Sequence, residues 1–182
     1  MTETRRERVE RNFAAELVDG VVAAIERGRA AWPSFDVSDD VVISAIARSI
    51  ADGTPITGLF AEDLYFAQAC AAGMPVAVGE LESVLAKQIA ANLRGMGLSD
   101  IELNEILQDI RVKLLVTGDS AAKIATYSGR APLRGWLRIV ATRAALDRFR
   151  RNTPAGTAND DLVEAAATVD SPELELFRRK YH

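Results

Sequence analysis

The stretch Tyr127–Asn152, YSGRAPLRGWLRIVATRAALDRFRRN, decides how the chain reads. Ser128-Gly129 signals a turn, and Pro132 suits the first turn of a helix. From Leu133 onward Trp136/Leu137, Val140, Ala141 and Ala144 recur at three- and four-residue spacing and mark one apolar face. The other faces carry Arg134, Arg138, Arg143, Arg148, Arg150 and Arg151, with Arg130 just upstream and Asp147 as the sole acid of the stretch. A basic stripe of this length in a chain of net charge -4 concentrates positive charge in one helix. It excludes a uniformly basic, histone-like binder and points to a directed nucleic-acid surface.

Working outward, every other segment also reads as helix. Residues 3–30 predict a helix with a stripe of Phe13, Leu17, Val21, Ala24 and Ile25, ended by Trp32-Pro33 because the residue before proline is pushed out of the α region. Ser38 as N-cap with Asp39 and Asp40 opens a second helix, with Val42, Ile43, Ile46 and Ile50 inward and Gly53 closing it. Thr54 to Gly58 reads as a loop. A third helix covers Phe60 to Ala72, with Leu64, Phe66, Ala67 and Cys70 turned inward. A long helix follows from about Val76 to Gly95 on a core face of Leu81, Val84, Leu85, Ile89 and Leu93. Ser99-Asp100-Ile101-Glu102 is a capping box that starts a helix to about Val116, with Leu103, Ile106, Leu107, Ile110 and Leu114 inward. Thr153 to Asp161 reads as an exposed linker, and Ser171-Pro172-Glu173 as the start of a last helix.

No window of useful length alternates like a strand, so the class is all-α, a helical bundle with short connections. The division expected is an N-terminal helical extension, 1–58, a main domain, 59–152, and a linker with the start of a C-terminal helix, 153–182. At 48% hydrophobic the 182-residue chain can bury a sizeable core. Cys70 is its only cysteine and His182 its only histidine, which argues against a disulfide framework, a zinc site and a histidine-based triad. No cofactor is expected. No apolar run approaches about 18 residues, and the N-terminus is not a secretory signal, so the expectation is a cytoplasmic protein with no membrane segment.

Three segments in order resemble the second domain of bacterial RNA polymerase sigma factors of the extracytoplasmic-function type. They are DLYFAQACAAG, Asp63 to Gly73; NEILQDIRVKLL, Asn104 to Leu115; and Tyr127, Gly129, Leu133, Trp136, Leu137, Asp147, Arg150 and Arg151 within Y-S-G-R…L-x-x-W-L…D-x-x-R-R. With AAWPSFDV before the first segment, the chain further resembles a myxobacterial subfamily. The resemblance covers roughly residues 60–152 and the first sixty only loosely.

The resemblance implies a promoter-recognition module, not an enzyme. The helix Ser99–Val116 would dock on the clamp helices of the polymerase β′ subunit through Glu105, Gln108, Asp109 and Arg111. The loop Lys123–Ala131, with Tyr127, Ser128, Gly129 and Arg130, would capture a flipped base of the promoter −10 element on the non-template strand. Tyr127 is suited both to stacking and to the core. Arg134, Arg138, Arg143, Arg150 and Arg151 would contact phosphates or base edges of the DNA. Trp136 is expected in the core, and Asp147 to pair with Arg143 or Arg151. Arg111 departs from the family's usual aromatic, and Arg143 from the Asn of many members. An anti-sigma regulator would be a further partner, and a −35-reading domain is expected to be truncated from the chain. The competing reading is a helical protein–protein module that never touches DNA. A hydrolase acting through paired carboxylates has no motif support.

Overall fold

The computed structural model describes residues 3–116 and 122–152, and side chains up to residue 148. Among these residues the fold is all-α, with no strand. The helices are α1 (Arg5–Glu10), α2 (Ala15–Ala31), α3 (Asp39–Ala51), α4 (Ala61–Ala71), α5 (Pro75–Val84), α6 (Ala90–Arg94), α7 (Asp100–Leu115) and α8 (Leu133–Asn152). The segments expected at Thr153–Asp161 and from Ser171 lie outside the described residues.

The chain divides into two compact units: Met1–Leu81 with Leu115–Leu133, and Glu82–Leu114 with the chain from Arg134 on. Residues on both sides of position 58 belong to the first unit. The first unit is built around α4, which buries Leu64, Tyr65, Phe66, Ala67, Gln68, Ala69 and Cys70 and so faces the interior on every side. Helix α2 crosses it at Gly28, where an added methyl would stand 2.6 Å from Tyr65 Cβ. Trp32 stacks on Phe35 at 5.0 Å between ring centroids and meets Phe66 at 4.9 Å. The Tyr65 hydroxyl donates to the Phe35 carbonyl (2.9 Å) and accepts from the Val37 amide. Residues 3–58 are part of this core, into which Val9, Val21, Ile25, Ile43 and Ile46 are buried.

The expected first helix is two. Asn12 ends α1 by donating its side-chain amide to the Arg8 carbonyl at 2.7 Å, a local bond that competes with helix continuation. α1 has its own capping box, Thr4 with Glu7. As a result Phe13 and Leu17 are only half-buried, and Val18, Val21, Ala24 and Ile25 carry the inward face. Ser38 stands at the N-cap of α3 without a side-chain bond, while Asp39 in its first turn accepts from Arg5 (3.0 Å) and Arg29 (3.0 Å).

The expected long helix runs from Pro75 to Arg94 and contains one wide π turn, Leu85–Ile89. Leu81, Leu85, Ile89 and Leu93 are all buried. Their four-residue spacing would drift about 40° per step on a regular helix, and the wider turn lets them keep facing one way. Val84, off that row, is half-buried. In the second unit α7 begins at the expected box, with Ser99 N–H donating to Glu102 (2.9 Å) and Glu102 N–H to Ser99 Oγ (3.3 Å). Its expected core residues Leu103, Ile106, Leu107, Ile110 and Leu114 are all buried. No single helix among the described residues is long and apolar enough to cross a membrane.

Candidate nucleic-acid interface

The turn before α8 is fixed by steric and hydrogen-bond requirements. Gly129 has φ +65, a region that side chains disfavour, and an added methyl would lie 2.7 Å from Leu59 Cδ1. Its carbonyl accepts from the Phe60 amide at 2.9 Å. Gly129 therefore shapes the turn and is buried.

Tyr127 is resolved the same way. The residue is 4% exposed, and its hydroxyl donates to the Ala131 carbonyl at 2.6 Å. Burial pushes the phenol well above its usual pKa, and the nearby Asp63 carboxylate pushes it further. Tyr127 is thus core first, and only one side of it lines the cleft described below. Arg130 is half-buried and donates its Nε to Thr54 Oγ1 at 2.8 Å, so it ties the turn to the loop after α3.

Pro132 cannot cap a helix with a side chain, and the cap of α8 comes from elsewhere. Asp63 Oδ2 on α4 accepts from the Leu133 amide at 2.8 Å, placing a carboxylate at the positive end of the helix. The partners are separated by 70 residues, beyond any local capping signal.

Beside this turn is a cleft of about 230 Å³. One wall is the turn, Ala125 to Ser128; the other is α3 and its C-cap, with Ala45, Arg48, Ser49 and Asp52. Ser128 is half-buried at its edge. Arg48 and Asp52 were not singled out in the sequence, because they lie in the segment where the family resemblance is loose and look like an ordinary solvated helix end.

On α8 the buried positions are Leu133, Gly135, Leu137, Ile139, Ala141, Ala144 and Ala145. Trp136 and Val140 are half-buried, so the apolar face is rotated from the expected one and Trp136 is not fully core. The arginines do not form one stripe. At about 100° per residue Arg134 and Arg138 lie within about 40° of each other, while Arg143 is about 180° from Arg134. Arg134 and Arg143 are exposed; Arg138 is half-buried with its Nε enclosed and without a hydrogen-bond partner among the described residues. The side chains of Arg150 and Arg151 lie outside the described residues.

Arg148 turns toward α7. It makes a close ion pair with Glu105 and a longer one, 3.7 Å, with Asp109. Glu102, also near it, has its pKa lowered, first by the bonds from Ser99 and then by the Arg148 charge. Glu105 and Asp109 are therefore neutralised within their own unit, although each remains about half exposed, at 50% and 49%. Arg111 donates its Nε to Glu82 at 2.6 Å and a guanidinium N–H to Gln108 at 3.4 Å. The four residues expected on the polymerase-facing side thus occupy two local networks, and Gln108 is exposed.

The chain matches no family model, no curated protein and no solved structure.

Proposed function

We propose that the chain is a sigma-like promoter-recognition module, not an enzyme, that acts in the cytoplasm with core RNA polymerase and holds the unwound non-template strand of a −10 element. The observation that carries this reading is the cleft against Ala125–Ser128, because the resemblance assigns base capture to that loop. Extruding a base costs a few kcal/mol, which enclosure and stacking offset. The resemblance further assigns phosphate contacts to Arg134 and Arg138, which share one side of α8. Tyr127 contributes a wall to the cleft and no freely swinging ring.

Fluorescence anisotropy with labelled single-stranded −10-like oligonucleotides and purified core polymerase tests it. Binding is expected to weaken steeply with salt, and Arg134→Ala with Arg138→Ala to reduce the slope by about one unit per lost phosphate contact. An intact chain that binds neither oligonucleotide nor polymerase refutes it.

A specific observation favours the second reading, a protein-docking module. Ile101 and Val112 are 74% and 48% exposed on α7. They lie within about 60° of Glu105 and Gln108 around the helix, a mixed apolar and polar face of the kind protein partners cover. Recovery of a small anti-sigma-like regulator without polymerase, and no affinity for DNA, supports that alternative.

A further inference from the structure

We infer that Arg48 and Asp52 read the edge of the base held in the cleft and select bases that carry an exocyclic amine. The inference rests on the proposed function above, and assigns a reading role to residues outside the segments that carry the resemblance.

The argument begins with size. At about 230 Å³ the cleft is smaller than the about 300–1,000 Å³ of sites for drug-sized ligands, and suits one ring system. Its apolar lining comes from Ala45, Ala125 and Tyr127. The hydroxyls of two further lining residues are committed: Ser49 Oγ donates to the Ala45 carbonyl (2.9 Å), and Thr126 Oγ1 to the Lys123 carbonyl (2.8 Å).

Arg48 and Asp52 are different. They stand four residues apart, where opposite charges on a helix can pair, yet they form no ion pair with each other. Arginine preceding the acid is the weaker orientation, and Asp52 lies past the last helical residue, at ψ 1. The Arg48 guanidinium makes one long bond, 3.5 Å, to the Ala125 carbonyl. Among the described residues no hydrogen bond or ion pair engages the Asp52 carboxylate. A strong donor and a strong acceptor therefore line the same cleft with capacity to spare.

The complementary ligand presents a donor beside an acceptor. Adenine, cytosine and guanine each do so, with an exocyclic amine next to a ring nitrogen or carbonyl. Thymine also sets its one N–H beside a carbonyl, but that N–H lies between two carbonyls, so a carboxylate bonded to it is repelled by the carbonyl that Arg48 does not cover. Asp52 accepts from the amine, and Arg48 donates to the neighbouring acceptor.

The test uses the full chain and fluorescein-labelled dT12 carrying one central A, C, G or T. Each amine-bearing base is expected to tighten binding about tenfold over T, the effect of one charge-assisted bond. Asp52→Ala removes that preference; Asp52→Asn, which keeps an acceptor, restores part of it. Arg48→Ala weakens all four oligonucleotides, since every base offers it an acceptor. Asp52 is exposed, so an unchanged thermal melt is expected for both of its variants. Equal affinity for all four bases, or a preference that survives Asp52→Ala, overturns the inference and leaves the promoter reading standing. Binding to none of them, with or without polymerase, removes both.

Discussion

Where α2 crosses α4, Gly28 leaves no room for a methyl group beside Tyr65; where α8 faces α7, half-exposed carboxylates close on Arg148. The first unit is specified by shape, through glycine contacts, a Trp32–Phe35–Phe66 cluster and a tyrosine bonded to buried backbone. The second is specified by evenly spaced aliphatic residues, and both units add ion pairs at their surfaces, Asp39 with Arg5 and Arg29 in the first and Arg148 with Glu105 in the second. Shape complementarity is unforgiving of one added carbon, whereas exposed charge pairs contribute little and are screened by salt. The two units should therefore respond differently to substitution and to pH.

The sharpest contrast lies among the glycines. Gly129→Ala combines a positive φ with a contact at 2.7 Å and should cost about 3 kcal/mol by urea denaturation. Gly28→Ala removes a helix-interior glycine, a gain of about 1 kcal/mol, but overpacks Tyr65, for a net loss of about 2 kcal/mol. Gly97, in the second unit, has φ +77 with nothing within 4 Å, so its alanine variant should lose only the conformational part, about 1 kcal/mol. Equal losses at all three positions would remove the steric account of the first unit.

Alkali probes the same contrast. Burial pushes the Cys70 thiol up to about 12, and raises the Tyr127 phenol as well, both in the first unit. Each group is neutral when protonated, and its folded pKa lies above its unfolded one. The stability this gives is complete below the unfolded values, about 8.5 for Cys and about 10 for Tyr, and is lost as pH rises toward the folded values. The urea midpoint should hold to about pH 8 and then fall, with Cys70 contributing a loss of about 2 kcal/mol by pH 10. Cys70→Ala should delay the decline until the phenol begins to titrate, and an unchanged pH profile would show that the thiol is not sheltered.

These differences explain what could be read from the residues. In the second unit the information is local: Leu103, Ile106, Leu107, Ile110 and Leu114 announce their face by spacing, and Ser99 with Glu102 announces the helix start. In the first unit it is distant. The cap of α8 is Asp63, the partner of Arg130 is Thr54, and the partner of Gly28 is Tyr65. No periodicity encodes those pairings. The faces on either side of residues 54–58 share one core for the same reason, through pairings that no local signal announces. At the candidate site, the turn was legible and the opposite wall was not. The arginines of α8 were legible as charge, but their division between two sides of the helix follows from geometry that a count of basic residues does not contain.

The smallest effect separates structure from function on α7. Arg148→Ala removes the cation that Glu105 and Asp109 share, and leaves Glu102 beside them with one less positive neighbour. Both acids are about half exposed, so solvent already weakens the pairs, and the cost should be no more than about 1 kcal/mol and should shrink at high salt. Arg148→Met keeps much of the apolar stem and isolates the charge. Unpairing these acids gives α7 a stronger negative field, which accelerates encounter with any basic partner surface. If this face docks on polymerase, both variants should therefore associate faster at low salt despite being slightly less stable. An association rate unchanged while the urea midpoint falls would confine Glu105 and Asp109 to holding α8.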